Sequence, residues 1–123
     1  TEREFLAQVK RGIESFREKD QVLTFEIVSN NKVNPIRGKI MIYEEPNLSI
    51  LSTKKLTQNI NSLGPNTLKT FLNRGKTKSL SEESQSHSLG IYFFSQQRFE
   101  EAKVEFGKAN RMTDFVNKLR YYK

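Results

Sequence analysis

The sequence contains no cysteine, which excludes disulfides, thiolate metal sites and thiol nucleophiles. It has no apolar run near the ~18 residues that a membrane-spanning helix requires. Its first ten residues are charged rather than signal-like. We therefore expect no cysteine redox chemistry and no membrane insertion within the chain. The compartment stays open, and a soluble, cytoplasmic protein is the favoured alternative.

Motifs for catalysis and cofactor binding are also missing. His87 is the one histidine, whereas a metal site needs three or four converging ligands. The chain has no Gly-x-Gly-x-x-Gly and no Gly-x-x-x-x-Gly-Lys loop, and the serine-rich run at 79–88 has no Gly-x-Ser-x-Gly elbow. The sequence predicts a protein that is not an enzyme, with no catalytic residues, metal or cofactor, and it predicts His87 on a helix surface.

The length of 123 residues fits one domain with one modest core. Nine Phe and four Tyr supply large apolar side chains for that core. The chain opens on Thr1 and ends at Lys123 within a predicted helix. We therefore expect a single domain, residues 1–123, that is a fragment of a larger protein. Its expected parts are a helix at 1–20, a small β unit at 21–63 and a helical part at 64–123.

Hydrophobic periodicity predicts how the first half of the chain is organised. Apolar residues at helical spacing predict a helix at 2–18, in which Gly12 costs ~1 kcal/mol relative to Ala, so that packing must hold the helix. A period of two then predicts strands at 22–28 and 36–43, a third that starts at Leu48, and a short fourth around Ile60. Gly38 within the second strand indicates a bulge or a sharp bend. This favours a small, strongly bent antiparallel sheet or barrel of about four to five strands.

The second half of the chain is predicted to be helical. Pro65 suits the first turn of a helix and Gly75 suits its end, which predicts a helix at 65–74. After a polar linker, apolar spacing predicts helices at 82–96, 99–110 and 112–122. The predicted class is therefore α+β, with an N-terminal helix, then strands, then C-terminal helices.

Residues 82–110 carry a pattern of small and aromatic side chains on two successive helices. Its members are Leu89, Gly90, Ile91, Tyr92, Phe93, Phe99, Glu100, Glu101, Ala102, Phe106 and Ala109. This pattern resembles a single tetratricopeptide repeat. The resemblance implies a helical hairpin in which Gly90 and Ala102 lie where the two helices cross closely, with aromatic rings on either side.

The β unit carries a second resemblance. Gly38, Lys39 and Ile40 with Glu44, Asn47, Leu48 and Leu51 are similar to the first Sm motif. Two explanations stay open, Sm ancestry and convergence on the geometry of a small barrel. Taken together, residues 20–123 also resemble uncharacterised segments that accompany bacterial serine/threonine kinases. That resemblance implies an accessory role.

The charge distribution gives the one candidate site. The net charge is +7, and no Asp or Glu occurs between Pro46 and Ser81. The cations in that span are Lys54, Lys55, Lys69, Arg74, Lys76 and Lys78. Two explanations stay open, a solvated face with a basic linker and a patch for nucleic acid, anionic lipid or an acidic protein. Phe71, the one aromatic residue of the span, belongs to the apolar stripe of a helix, so nucleic acid ranks second.

These observations favour a non-catalytic accessory or protein-interaction module of a larger multidomain protein. Its partner would be another protein or another domain of the same chain. The alternative is a small-barrel domain that binds nucleic acid through the basic stretch 54–78.

Overall fold

The computed structural model describes residues 2–30, 32–75 and 81–122. These residues form five α-helices, a short 3₁₀ helix at Ile60–Ser62 and four strands. In chain order the elements are α1 (Glu2–Glu18), β1 (Val22–Ser29), β2 (Lys32–Glu44), β3 (Asn47–Leu51), β4 (Lys55–Asn59), α2 (Pro65–Gly75), α3 (Glu82–Ser95), α4 (Phe99–Lys108) and α5 (Met112–Arg120). The α+β class and the N-terminal helix are confirmed.

The chain divides into two compact units. We call Leu6–Thr77 the sheet unit, and Thr1–Phe5 together with Lys78–Lys123 the helical unit. The prediction that the chain is a single domain within a larger protein stays a prediction.

The sheet of the sheet unit is antiparallel, with strand order β1-β2-β3-β4. The first part of β2 pairs with β1 and its second part pairs with β3, while Lys39 pairs with both neighbours. Gly38 directly precedes this change of partner, and a Cβ atom placed on it would lie 2.5 Å from the carbonyl oxygen of Leu51. The register then shifts between Ile40 and Ile42. The strand therefore changes partners where the sequence predicted a bulge or bend.

Two strand boundaries differ from the prediction. β2 starts at Lys32 rather than at 36 and contains Pro35, which pairs with β1 on one side of the strand. Proline is accepted in a strand where its missing N–H is not needed by a second neighbour. The prediction of a fourth strand around Ile60 is wrong, because the polar stretch before it forms β4. The side chain of Asn59 accepts a hydrogen bond from the backbone N–H of Asn61 and so starts a 3₁₀ turn.

The sheet is open, so the barrel alternative is not realised in the described residues. The free edge of β1 is nevertheless covered at Glu26 and Ile27. Leu63 forms a single bridge with Ile27, the N–H of Gly64 donates to the carbonyl of Glu26 at 2.8 Å, and the N–H of Glu26 donates to Oγ1 of Thr67 at 2.8 Å. These bonds satisfy backbone groups that an exposed edge strand would leave open to other chains.

Within the sheet unit, α1 and α2 touch backbone to backbone. A Cβ atom on Gly12 would lie 2.0 Å from the carbonyl oxygen of Phe71, and one on Gly75 would lie 2.0 Å from that of Gln8. The side chain of Gln8 donates to the carbonyl of Leu72 at 2.9 Å, and Nε of Arg11 donates to that of Gly75 at 3.0 Å. Packing therefore does hold α1, and Gly12 is part of that packing.

In the helical unit, α3 and α4 run in opposite directions. Phe94 near the end of α3 meets Phe99 at the start of α4, with ring centroids 5.1 Å apart. Earlier in α3, Gly90 faces Phe106 near the end of α4, where a Cβ atom would lie 3.0 Å from the ring. Ala102 is fully buried in the same unit. These contacts are those of two helices folded back on each other.

α5 packs on this helix pair through aromatic rings. Phe115 is buried, and its ring centroid lies 5.7 Å from that of Phe106 and 6.1 Å from that of Phe94. After the helix ends, Tyr122 contacts Phe94 at 5.9 Å and Phe99 at 5.1 Å. These rings fix α5 to the hairpin at both of its ends.

Candidate interaction surfaces

The six predicted cations lie on several elements. Lys54 and Lys55 lie at the turn between β3 and β4, and Lys69 and Arg74 lie on α2. Lys76 and Lys78 lie outside the described residues. The described cations of the predicted patch therefore form two pairs on separate elements.

The pair at the β3–β4 turn gains a third cation from the sheet. Lys55 pairs with Leu51, and Leu51 pairs with Lys39 of β2, so that the three residues form one row across the strands. Side chains in such a row project from the same face. Sequence reasoning missed Lys39 because it precedes the acid-free span, and the strand register is the signal that finds it. Its Nζ lies 2.9 Å from Oδ2 of Asp20, in a solvent-accessible ion pair.

The pair on α2 is partly engaged in packing. The guanidinium of Arg74 lies 3.9 Å from the ring centroid of Phe16, and Nη1 donates to Oγ of Ser15 at 3.4 Å. A cation over a ring is held there by the ring's quadrupole. A shallow surface depression here is lined by Phe16, Thr70, Asn73 and Arg74. Arg74 therefore contributes to the attachment of α2 to α1, and Lys69 lies half-buried on the same helix.

Aromatic side chains are not displayed by the described part of the sheet unit. Phe16, Phe25, Tyr43 and Phe71 are its Phe and Tyr residues, and all four are buried. Single-stranded nucleic acid is usually bound by bases stacking on exposed rings. The row of Lys39, Leu51 and Lys55 instead exposes an aliphatic side chain between two cations.

A different surface appears on α5. Met112, Val116 and Leu119 follow one another at steps of four and three, which places them on one face of the helix. Their exposed fractions are 36%, 51% and 42%, while Phe115 faces the hairpin. We call these three residues the α5 stripe. The sequence indicated an apolar helix here but did not separate its buried side from its exposed side.

The α5 stripe continues onto α4. Val104 is 55% exposed, and it shares a helix face with Gly107, three residues later. A Cβ atom on Gly107 would lie 3.8 Å from Sδ of Met112, so Gly107 and Met112 lie close together where the chain passes from α4 to α5. We call Val104 and the α5 stripe together the apolar face.

Cations lie beside the apolar face. Arg120 follows Val116 by four residues, and Lys108 follows Val104 by four, so each is the next side chain along its helix face. Both are exposed, as is Arg111, and Nζ of Lys108 lies 3.4 Å from Oε2 of the buried Glu105. The exposed Glu100 precedes Val104 by four residues, so the charges beside Val104 are mixed. Asp114, the acidic residue of α5, points toward α3 instead, where its Oδ2 lies 3.5 Å from Nε2 of His87.

His87 lies half-buried on α3. Its ring packs edge-on against Phe106 at 5.7 Å, and Asp114 lies beside it. Across the described residues, no three His, Cys, Asp or Glu side chains are grouped so that they could hold a metal ion. In the same residues, no helix is both long enough and apolar enough to cross a membrane.

Comparison of the chain with family models, with curated proteins and with solved structures finds no match. The resemblances to a tetratricopeptide repeat, to the first Sm motif and to kinase-associated segments therefore stay predictions.

Proposed function

We propose that the chain is a non-catalytic protein-interaction module of a larger multidomain protein, in which a tetratricopeptide-like hairpin carries α5. The observation that supports this function is the apolar face. Exposed aliphatic residues scattered singly are ordinary, but a contiguous set framed by polar side chains is typical of a protein-binding surface. Met112, Val116 and Leu119 form such a set on α5, and Val104 extends it by way of Gly107, which lies beside Met112.

The apolar face is also held in place before any partner arrives. Phe115 and Tyr122 attach α5 to the hairpin through ring contacts at both ends of the helix. A surface that is already ordered loses less conformational entropy on binding. The arrangement therefore favours a docking surface over an incidental exposure of apolar residues.

A substitution at the centre of the apolar face tests this function. Val116→Asp introduces a charge there, and Val33→Asp is a matched control because Val33 of the sheet unit is 55% exposed and Val116 is 51% exposed. The wild type and both variants would be immobilised and exposed to a cell extract, and the captured proteins would be identified by mass spectrometry. A captured protein would then be purified and its binding measured with the isolated chain.

We expect at least one directly binding protein that Val116→Asp loses and Val33→Asp retains. Equal capture by both variants would contradict the proposed function of the apolar face. Circular dichroism of each variant establishes that the loss does not come from unfolding.

The alternative function, nucleic-acid binding, is supported by the row of Lys39, Leu51 and Lys55. The described part of the sheet unit has no exposed aromatic ring on which a base could stack. We expect single-stranded RNA to bind no more tightly than the ~10⁻⁴–10⁻⁶ M of non-specific contacts at physiological salt. We also expect charge reversal of Lys54, Lys55 and Lys69 to change that affinity little. Submicromolar affinity that collapses in this triple variant, with its fold retained, would replace the interaction function by the nucleic-acid one.

A further inference from the structure

We infer that the apolar face receives one side of an acidic amphipathic helix, an inference that rests on the proposed interaction function and names its partner class. The first argument is spacing. The α5 stripe repeats at four and three residues, which is the period at which a partner helix presents its own apolar residues. α5 has nine residues, which corresponds to ~13 Å, so a partner segment of about three turns covers it.

The second argument is charge. The exposed cations Arg111 and Arg120 lie beside the α5 stripe, while Asp114 is turned toward His87. Beside Val104 the charges are mixed, because Lys108 lies 3.4 Å from the carboxylate of Glu105 and Glu100 is exposed. A partner helix with carboxylates on both sides of its apolar stripe would place them against Arg111 and Arg120. Such complementarity favours the correct partner and accelerates its association.

The same charges disfavour two other occupants. A second copy of the chain would bring Arg111 and Arg120 against the same two cations of the other copy, and like charges across an interface oppose association. Nucleic acid would meet phosphate-binding cations only at the rim, with aliphatic side chains at the centre. Carboxylates around an apolar stripe match both features.

The test uses three fluorescein-labelled peptides and the whole chain. The first is a designed helix of about three to five turns with Leu at positions i, i+3, i+4 and i+7 and Glu on the flanks. The second has the same composition in scrambled order. The third has Lys in place of each Glu. Binding is measured by fluorescence anisotropy at low and physiological salt.

We expect the acidic amphipathic peptide to bind at least ~10-fold more tightly than either control peptide. Val116→Asp should lower its affinity by at least ~10-fold, whereas Val33→Asp should leave it unchanged. Arg120→Glu should lower the affinity and weaken its dependence on salt.

Four results would overturn the inference. Equal binding of the scrambled peptide would show attraction by charge without a helix face, and tighter binding of the Lys peptide would show the opposite charge preference. Unchanged binding by Val116→Asp would place the peptide elsewhere. A dimer in sedimentation velocity that Val116→Asp dissolves would make a second copy the occupant.

Failure of the acidic-helix inference can be distinguished from failure of the proposed interaction function. A protein that is captured through Val116 but is not displaced by the acidic peptide would overturn the partner class and leave the interaction function standing. Failure of capture by the wild type would count against the interaction function itself, whatever the peptides do.

Discussion

The sheet unit and the helical unit each bring two helices close through glycine, but the atoms that meet are different. In the sheet unit, a Cβ atom on Gly12 would fall 2.0 Å from the backbone oxygen of Phe71. In the helical unit, a Cβ atom on Gly90 would fall 3.0 Å from the ring of Phe106. A backbone carbonyl within a helix cannot rotate away, whereas a ring can shift by a few tenths of an ångström. Similar glycines should therefore differ greatly in what they tolerate.

The two units also differ in the kinds of side chain that they bury. Around the sheet, most of the fully buried side chains are aliphatic, as with Leu48, Ile50, Leu63 and Leu68, and ring contacts join Phe71 to Phe16 and Phe25. In the helical unit, rings contact rings from α3 to the residues after α5. Three substitutions that add atoms at buried or closely packed helix positions test how much each unit tolerates.

The largest effect is expected for Gly12→Ala. Alanine normally favours a helix by ~1 kcal/mol over glycine, but here its methyl group would force α1 and α2 apart. We expect the free energy of unfolding to fall by about 3 kcal/mol or more, at or above the usual range for overpacking. Urea unfolding measures it, with Lys10→Ala on the exposed side of α1 as the control. A midpoint that stays constant or rises would show that the helices are not in backbone contact.

Ala102→Leu should have an intermediate effect. Ala102 is fully buried on α4, and the added atoms would overpack the hairpin by about 1–3 kcal/mol, although both residues are good helix formers. Lys103→Leu, at the exposed neighbouring position, serves as the control. If the two variants unfold at the same urea concentration, Ala102 is not at a close crossing and the tetratricopeptide-like hairpin loses its main support.

Gly90→Ala is expected to have the smallest effect. The ~1 kcal/mol gained in helix propensity opposes a similar cost of displacing the ring of Phe106. The net change should therefore stay within about 1 kcal/mol. A loss as large as that of Gly12→Ala would mean that the ring cannot yield, and the contrast between the two units would disappear.

The sequence predicted the parts of the fold that depend on one element at a time. The apolar spacing of Val9, Ile13 and Phe16 located the buried side of α1, and Pro65 and Gly75 located both ends of α2. The fourth strand was misplaced because Ile60 is more apolar than the residues of β4. Ile60 is buried as part of the 3₁₀ turn, which is started by the hydrogen bond that the side chain of Asn59 accepts. The spacing of apolar residues does not reveal such a bond.

Features that depend on two distant segments could not be predicted. The carboxylate of Glu26 on β1 accepts from the backbone N–H and the side chain of Asn66, both at 3.2 Å. It thereby supplies the negative charge that the first turn of α2 lacks. In the sequence, Glu26 is one more polar residue of an alternating strand.

The candidate surfaces also depend on segments that are separate in the sequence. The acid-free span of the sequence contains Lys54 and Lys55, but only the strand register adds Lys39 to them. The α5 stripe could not be separated from Phe115 by period alone, because the apolar residues of α5 cover two adjoining sides of the helix. Which side is covered depends on where Phe94 and Phe106 lie.

The change of partner along β2 has a consequence for how the sheet opens. Residues of β2 before Lys39 pair with β1, and those after it pair with β3, so either hairpin can separate while the other keeps its bonds. Native-state hydrogen exchange reports such local openings as groups of amides with a shared free energy. The hydrogen-bonded amides of this one strand should therefore exchange as two groups divided at Lys39. As denaturant is added, the free energies of the two groups should become equal only where exchange proceeds through unfolding of the whole unit.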